Sequence, residues 1–499
     1  MFFSEVFNVK STIITEYGAV DISLVCDTPL FIDPMLIFNS SKKEYKQLHD
    51  EIIRYFHFLY MKSQQNLSRQ EVDAWFNFSE VPNNWLGYSL YGNKGLALGK
   101  KYADFLCQNV GFAMQQSNIT KSIHIEKVML LYEGSGKDKI SDLTVNLIKH
   151  YLCEYTEKFA KKHIATENRC KFPVDKAFFN YDTESFISKE YDLPFVINEK
   201  GSPEYVLLTP RDILRSDEPA INRDDFIKSH SIIRESIDNS SLRAFVNNYI
   251  SKAVLAYEEK QKKNKKAINE KTVSRIEKKA FEELTNQYPE LYDYYIKFLE
   301  DNPEKVIDEC NREVNDQIER LELASKNLLS IIRANDLTVD NSLSAREEAK
   351  YRLRYFKHVI EDCDGYKCLY VNNVPVAKEN DLQRLFRFVW YGTNYKVDAE
   401  PNNGRGQADF IVSFGQKNQN IVEFKLASNS NLSHVFQQVQ IYEAANCCDG
   451  SLIAIFYFSE AEYQTAIKVV KDAGYEHSID ESIFLIDCRN DNKTSASKV

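Results

Sequence analysis

Glycine and proline are scarce in this sequence, with 16 glycines and 12 prolines among 499 residues. Low-complexity and disordered chains are usually rich in both residues, so the composition argues against that class. Aromatic residues are plentiful instead, with 29 tyrosines and 31 phenylalanines available to fill large cores. We therefore expect an ordered, globular, helix-rich protein that is long enough for about three domains.

The cysteines and histidines form no recognisable metal-binding or nucleophile pattern. The ten cysteines include no Cys-x-x-Cys pair, and none of the nine histidines has a cysteine or serine beside it in a suggestive spacing. Cys447 and Cys448 are adjacent, and neighbours cannot form an ordinary disulfide without strain. We therefore expect reduced thiols and a cytoplasmic location, and neither a disulfide framework nor a zinc site.

Long apolar segments are also missing. No apolar run approaches the roughly 20 residues that a membrane-spanning helix needs. The start of the chain, residues 1–5, has neither the basic residues nor the apolar core of a secretory signal. We expect no membrane association. The formal net charge of −10 argues against nucleic-acid binding over the whole surface, although it is compatible with a local basic channel.

The hydrophobic patterning divides the chain into three parts and a tail. Residues 1–240 are predicted to form an N-terminal α/β domain with a sensor or recognition role, and residues 241–350 a helical region. Residues 351–490 carry a second α/β pattern, and 491–499 are a frayed tail. The elements predicted for the first part are strands at 19–25, 29–34 and 122–131, a helix at 43–61, and a helix at 143–163 capped by Ser141-Asp142.

Two basic clusters stand in the helical region and after it. Between Lys252 and Lys279, ten lysines or arginines accompany four glutamates, a local balance of 10 − 4 = +6. The second cluster consists of Arg346, Lys350, Arg352, Arg354 and Lys357. Such clusters form solvated helix faces, or they contact phosphates, from which most non-specific affinity for DNA derives. The solvated face is favoured for the first cluster, and a DNA contact is more credible for the second because it leads into the last domain.

Two glycine-rich stretches resemble phosphate-binding loops only in part. Gly134-Ser135-Gly136-Lys137 follows an apolar run, but Leu131 stands where a P-loop needs glycine and Asp138 where it needs a hydroxyl. We therefore expect no ATP binding there. The stretch 87–101 combines glycines and lysines with nearby aromatic residues, which suits either a mobile loop or a recognition surface. The loop is the favoured interpretation.

The most informative stretch is a predicted β-hairpin near the C-terminus. The segment 404–412 ends in an apolar run that begins at Asp409, and the next apolar run, 421–426, contains Glu423 and Lys425. Alternating apolar runs joined by a short polar segment predict paired antiparallel strands. Asp409 and Glu423 then lie opposite each other, and Glu423 and Lys425 share a face because they are two residues apart. We therefore expect two carboxylates and one ammonium group to converge.

This convergence suggests a particular chemistry. Acidic residues are depleted from strand interiors, and a buried acid needs a partner or a metal ion. Two carboxylates suit Mg²⁺, which polarises a phosphate and lowers the pKa of a bound water. A nearby lysine can hold that water and offset charge in the transition state. The alternative on this pattern alone is a surface hairpin with a solvated glutamate and lysine.

With its neighbours, the hairpin resembles the PD-(D/E)XK nuclease superfamily, which has a restriction-endonuclease-like fold, over about residues 366–490. The segments that match are the first core helix at 379–386, the first strand at 397–400, the turn at 404–406, the Asp409 strand, the Glu423-Phe424-Lys425 strand, the helix at 435–442 with Gln438 and Tyr442, and the strand at 451–458. The family's proline before the aspartate is absent, because Gln407-Ala408 stands there.

The resemblance implies a mixed sheet flanked by helices and a set of site residues. The metal ligands that it implies are Asp409, Glu423, the backbone carbonyl of Phe424 and Glu379, the last of which completes the shell or holds a second ion. The catalytic residues that it implies are Asp409, Glu423, Lys425, Glu379 and Gln438. Lys425 would orient the attacking hydroxide, and Gln438 would hold Lys425 or a phosphate. Mg²⁺ is the expected cofactor, and Mn²⁺ is expected to substitute for it.

The function implied by the resemblance is a metal-dependent endonuclease acting on double-stranded DNA and leaving 5′-phosphate ends. By analogy alone, bacterial anti-phage defence or restriction is the expected setting, with residues 1–350 selecting the substrate or restraining the enzyme. Several alternatives stay open. The nuclease fold could be catalytically inactive and bind nucleic acid or a protein partner, the substrate could be RNA, and the chain could act as a monomer or a homodimer.

Overall fold

The computed structural model describes residues 2–493 apart from short segments. The segments outside the description are residues 25–26, 88–99, 115–117, 132–136, 199–200, 217–219, 265–266, 305, 309, 320–342, 364, 372–373, 376–378, 391–392, 394, 400–407, 415–417, 447 and 449. The predicted turn at 404–406, the candidate phosphate loop at 134–136 and most of the stretch 87–101 therefore lie outside the described residues.

The first part of the chain is mainly helical and carries small antiparallel sheets. Its helices are α1 (Phe3–Val6), α2 (Ser11–Glu16), α3 (Pro34–Asn39), α4 (Lys43–Ser63), α5 (Arg69–Trp75), α6 (Lys100–Met114), α7 (Lys137–Leu147) and α8 (Lys149–His163). Its strands are β1 (Phe31–Ile32), β2 (Arg169–Asn180), β3 (Ser185–Ile197), β4 (Pro203–Tyr205) and β5 (Leu214–Arg215). Strands β2, β3 and β4 form one antiparallel sheet, and β1 pairs with β5. A single hydrophobic core unites these elements.

The strand predicted at 122–131 is wrong, because residues Ile125–Leu131 form a 3-10 helix. This segment is buried on all sides, and burial includes the polar Glu126 and Lys127. The alternating apolar residues that suggest a strand therefore belong to a tight, buried helix. In a short apolar run, periodicity does not distinguish a strand from a buried helical segment.

The predictions for the other elements of this part need correction as well. In the described residues of 19–25 there are only isolated bridges, one from Ala19 to Pro210 and one from Ser23 to Phe2. The strand predicted at 29–34 shortens to β1, because the Asp33 carboxylate accepts from the Met35 N–H and starts helix α3.

The helix predicted at 43–61 is confirmed as α4, whereas the one predicted at 143–163 is two helices that meet at Ile148. The first of these, α7, already begins at Lys137. Ser141 therefore lies inside a helix and caps none, and its Oγ accepts a hydrogen bond from the Ile32 N–H across the core at 3.0 Å.

The middle part is helical, as expected. Its helices are α9 (Arg223–Lys228), α10 (His230–Ser236), α11 (Ser240–Lys263), α12 (Glu270–Thr285) and α13 (Glu290–Asp301), followed by helical pieces within 303–319. Helices α11 and α12 start at asparagine caps and lie antiparallel, since Tyr249 near the start of α11 donates to Glu283 near the end of α12 at 3.1 Å. Buried ion pairs, His124 with Glu300 and Lys127 with Asp293, join this part to the first.

The last part contains the largest sheet. Its elements are α14 (Ala345–Asp362), β6 (Tyr370–Val371), β7 (Val374–Pro375), α15 (Glu379–Phe388), β8 (Lys396–Ala399), β9 (Phe410–Ser413), β10 (Gln419–Leu426), α16 (Val435–Asn446), β11 (Ser451–Tyr457), α17 (Glu460–Asp472) and β12 (Ile483–Asp487). The sheet order is β12-β11-β10-β9-β8. Strands β8, β9 and β10 are antiparallel neighbours, whereas β10, β11 and β12 run parallel.

Helices cover both faces of this five-stranded mixed sheet. On one face, α14 and α15 pack over a core that includes Phe410, Phe424 and Phe456. On the other face, α16 and α17 pack over Ile453 and Ile455. Parallel strands need such covering on both sides, which explains the continuous apolar run of β11. The predicted mixed sheet flanked by helices is therefore confirmed as an architecture.

Candidate active site

The candidate site lies where strand β10 extends beyond its neighbour β9. Pairing between the two strands reaches Phe410 opposite Val422, the last pair at this end. Strand β10 continues to Leu426 and stays paired with β11 on its other side up to that residue. The backbone groups of β10 that face β9 are therefore left without a ladder partner after Val422. The antiparallel hairpin itself is confirmed.

Two carboxylates take the place of the missing strand. The Phe424 N–H donates to Asp409 Oδ2 at 2.6 Å, and the Leu426 N–H donates to Glu379 Oε1 at 3.0 Å. Asn429 Nδ2 also donates to Glu379 Oε1, at 3.0 Å. Charged acceptors make strong hydrogen bonds with backbone amides, so both carboxylates are held firmly at the strand edge.

The Glu423 and Lys425 side chains complete the cluster. The Asp409 N–H donates to Glu423 Oε2 at 3.2 Å, and Lys425 Nζ donates to Glu423 Oε1 at 3.0 Å. Lys425 Nζ also lies 3.5 Å from Glu379 Oε2. The structure thus brings together the four charged side chains that the sequence singles out, with the ammonium group between two carboxylates.

The cluster is largely shielded from solvent and carries an excess of negative charge. The side chains of Glu423 and Lys425 are only 3% and 12% exposed. When all four groups are ionised, three carboxylates oppose one ammonium, a balance of 1 − 3 = −2. Burial and the neighbouring Glu423 raise the pKa of Asp409 well above its usual value. Burial also raises the pKa of Glu423, despite the attraction of Lys425.

The lysine responds in the opposite way to the same surroundings. Burial lowers the pKa of Lys425, but attraction by Glu423 and Asp409 outweighs burial, so the pKa is raised above its usual value. The amine is therefore protonated at neutral pH. It acts as a hydrogen-bond donor and a positive charge, and it is unsuited to accept a proton.

No group of three or more His, Cys, Asp or Glu side chains in the described part of the chain is arranged to hold a metal ion. The chemistry of the donors nevertheless fits a hard divalent cation, since Asp409, Glu423 and Glu379 offer carboxylate oxygens that Lys425 neutralises only in part. In an antiparallel ladder a residue's N–H and C=O face the same neighbour, so the Phe424 carbonyl faces the Asp409 side together with its amide.

Gln438 and Tyr442 lie on helix α16, which packs against β10 and β11. Tyr442 packs against Ala408, Ile411 and other apolar residues beside the site, and burial raises the pKa of its hydroxyl, with Glu423 contributing. Gln438 Oε1 is buried and has no hydrogen-bond partner among the described residues. Within that part of the chain no hydrogen bond joins Gln438 to Lys425, so no contact in the structure supports the role predicted for Gln438.

Sequence reasoning missed Asn429 and the two strand amides. Asn429 lies in the turn directly after the Glu-x-Lys-Leu segment, and polar residues after an acidic strand end are a usable signal. The roles of the Phe424 and Leu426 amides depend on the difference in length between β9 and β10. No pattern in the sequence specifies that difference.

The second basic cluster is engaged within its own domain, although its position made a DNA contact more credible there. Arg352 is almost fully buried, donates to Glu348 and to the carbonyl of Val389, and lies 5.0 Å from the centre of the Trp390 ring. The other four members bind Glu481 (Lys350 and Arg354), Asp480 (Lys357) and the Ser451 carbonyl (Arg346). These contacts attach α14 to the sheet edge.

The fold and the site thus define a mixed α/β protein with a buried cluster of three carboxylates and a lysine. Two family models match the chain, each described as a domain of unknown function. DUF8370 matches residues 8–222, and DUF8371 matches residues 345–460. The second match includes Glu379, Asp409, Glu423, Lys425 and Gln438. No curated protein and no solved structure matches. None of the helices in the described part of the chain combines the length and the hydropathy that a membrane crossing requires.

Proposed function

We propose that this chain is a Mg²⁺-dependent nuclease that hydrolyses phosphodiester bonds of DNA, with a catalytic domain of restriction-endonuclease-like fold between α14 and β12. The observation that carries the proposal is the cluster at the end of β9, where Asp409 and Glu379 hold strand amides and flank Glu423 and Lys425. The order of elements around it, from α15 through β8, β9 and β10 to α16 and β11, agrees with the resemblance.

The residues of this chain divide the work of such a reaction among them. Asp409, Glu423, Glu379 and the Phe424 carbonyl would hold Mg²⁺. When bound, the ion supplies charge for the phosphate and lowers the pKa of a water molecule. Lys425, protonated because its pKa is raised, donates a hydrogen bond to the attacking water and stabilises the negative charge that develops on the phosphate. Since Lys425 does not accept the water's proton, that proton passes to solvent or to the substrate.

The direct test is a cleavage assay with supercoiled plasmid, single-stranded DNA and RNA. We expect relaxed and linear plasmid with Mg²⁺ or Mn²⁺, no cleavage with EDTA, and binding without turnover in Ca²⁺. Asp409→Asn should abolish cleavage. Asp398→Asn is the matched control, because Asp398 lies on β8 of the same sheet and pairs only with Lys396 in the contacts described. Cleavage by Asp409→Asn at the rate of the parent protein would show that the site is elsewhere.

A specific observation favours a second candidate, an inactive nuclease fold that binds nucleic acid or a protein partner. Glu379 Oε1 is already occupied by the Leu426 amide and Asn429, and Lys425 stands between two of the carboxylates. This candidate predicts nucleic-acid or protein binding without cleavage in any divalent metal, and the same assay distinguishes the two.

The proposal extends by analogy to bacterial anti-phage defence or restriction. A nuclease that acts without sequence restraint endangers its own genome, so residues 1–350 would provide recognition or control. The buried ion pairs of His124 with Glu300 and Lys127 with Asp293 make the first two parts one packed unit, which suits a regulatory body. A cell-survival assay under phage challenge, with Asp409→Asn as the inactive variant, tests this extension.

A further inference from the structure

The helical hairpin of α11 and α12 carries the first basic cluster at its distal end. We call residues 252–279 the basic arm. Eight of its ten cations lie on described residues. Lys279 approaches Glu283, and the other seven form one set: Lys252, Lys260, Lys262, Lys263, Lys271, Arg275 and Lys278. Six of these side chains are exposed and the seventh is half-buried. The base of the hairpin packs against α9, α10 and α13, so the arm is anchored in the helical core.

These seven cations differ from the second basic cluster in lacking side-chain partners among the described residues. None of them forms an ion pair with another residue in the part of the chain that the structure describes, although Glu277 and Glu283 lie on the same hairpin. Glu277 instead approaches His230, and Glu283 bonds Tyr249 and approaches Lys279. By contrast, every member of the second basic cluster is engaged inside its domain.

The arrangement of these cations is unfavourable for the helix alone. Lys271, Arg275 and Lys278 are spaced i, i+4 and i+7, which places them on one face of α12. Like charges three and four residues apart destabilise a helix. The row spans about 10 Å at about 1.5 Å per residue, which matches about three steps of the axial rise, about 3.4 Å per phosphate on one DNA strand. A row of anions relieves this repulsion.

The arm also opposes the charge of the remaining chain. Its balance of +6 within a total of −10 leaves −10 − 6 = −16 for all other residues. The net charge of the remaining residues repels a polyanion, whereas this region attracts one, because fields depend on where charges are placed. The candidate site, with its own balance of −2, does not attract a phosphate backbone by itself.

We propose that the basic arm is a nucleic-acid-binding element that contacts backbone phosphates without reading sequence. The inference deepens the proposed nuclease function, on which it rests for the choice of nucleic acid as the polyanion. Each cation that neutralises a phosphate releases counterions, so the logarithm of the binding constant falls with the logarithm of salt concentration by about 0.9 per contact on duplex DNA.

The test measures binding of a fluorescent DNA duplex to the full chain in EDTA, where cleavage does not interfere, over a series of KCl concentrations. The arm variant combines Lys262→Gln, Lys263→Gln, Lys271→Gln and Arg275→Gln. A matched control removes four exposed cations that have acidic partners: Lys161→Gln, Lys171→Gln, Lys189→Gln and Lys471→Gln. Both variants change the net charge equally. Circular dichroism and thermal melting check that both fold.

We expect the arm variant to lose about tenfold or more in affinity at ~0.15 M salt and to reduce the salt slope by about 2–4, whereas the control stays close to the parent. Equal losses in both variants would reduce the effect to net charge and overturn the proposal. Unchanged DNA binding in the arm variant, or a parent that binds no DNA, would also overturn the proposal. It would be overturned as well if binding to phosphatidylserine vesicles or to an acidic protein depends on the arm while DNA binding does not.

The outcomes also separate this inference from the proposed function. If the parent cleaves DNA but the arm variant binds as tightly as the parent, the nuclease proposal stands and the arm proposal falls. If no metal supports cleavage but DNA binding depends on the arm, the arm proposal stands and the catalytic one falls.

Discussion

Replacing Asp409 by asparagine should stabilise the protein while removing its metal response. Asp409 is half-buried beside Glu423, and burial and Glu423 raise the pKa of its carboxyl, so its ionised form is unfavourable in the folded state. Asparagine keeps an oxygen to accept from the Phe424 amide, and its NH₂ group can donate to Glu423. The substitution therefore preserves the hydrogen bonds and removes one negative charge from the excess that the cluster carries.

The expected gain is about 1–2 kcal/mol at neutral pH, the size usual for relieving a single unfavourable feature. With about 2–4 °C of melting temperature per kcal/mol for domains of this size, the shift is about 2–8 °C. The sign depends on pH. A carboxyl whose folded pKa is raised costs nothing below its unfolded pKa near 4, and it destabilises progressively as pH rises from there to the folded pKa. The advantage of Asp409→Asn should therefore vanish toward pH 4.

The assay is thermal unfolding with and without divalent cations, with Asp398→Asn as the matched control. Mg²⁺ should raise the melting temperature of the parent, by up to about 2.7 kcal/mol of stability when its concentration is 100 times the dissociation constant. The asparagine variant should lose most of this response, and the control should keep it. KCl at equal ionic strength separates specific binding from screening.

Two results would refute this reasoning. If Asp409→Asn melts below the parent in EDTA at neutral pH, the carboxylate is a stabilising acceptor of the strand amide and little else. If Mg²⁺ stabilises the parent and Asp409→Asn equally, the ion binds at another place. Either result removes the physical basis for a metal site at the end of β9, whatever the cleavage assay shows.

Two further predictions concern other buried charges. Lys425→Ala should abolish cleavage but retain DNA binding, and it should lower the melting temperature at neutral pH, because Glu423 loses the cation at 3.0 Å; a variant that cleaves normally contradicts the role proposed for Lys425. Glu126 is buried with a pKa raised by burial to about 7, so stability should fall as pH rises from about 4 to about 7, and Glu126→Gln should flatten this fall in urea titrations at each pH. An unchanged pH profile would show that Glu126 is not responsible.

The last domain could be predicted from sequence because its signals are local. The apolar run predicted at 451–458 is strand β11, Ser451–Tyr457, and the helix predicted from Glu379 is α15. The Asp409 and Glu423 convergence follows from strand pairing and a period of two, both of which a sequence displays. The hydrogen bonds between the carboxylates and the strand amides cannot be read from the sequence, because they arise from the unequal lengths of β9 and β10.

The first part resisted prediction because its local patterns conflict with its packing. Strands β2 and β3 form the longest hairpin, yet their residues are mostly exposed or half-buried and show no apolar alternation. Pro173 lies inside β2, where proline usually argues against a strand, and Lys176 with positive φ marks a bulge that breaks the period. Tertiary contacts decide such segments.

If both proposals hold, the arm and the buried cluster make different contributions to the same reaction, and kinetics can separate them. The arm would contact phosphates from the helical core and not from the sheet that carries the site, so it should stabilise bound substrate and transition state equally. Its removal should then raise KM and leave kcat unchanged. In the proposed mechanism Lys425 acts on charge that develops only in the transition state, so its loss should lower kcat with little change in KM. An arm variant with reduced kcat and parental KM would instead place the arm at the reacting phosphate. That result would contradict this division of roles between the arm and the cluster. The division rests on the anchoring of the arm in the helical core and not in the sheet that carries the carboxylates.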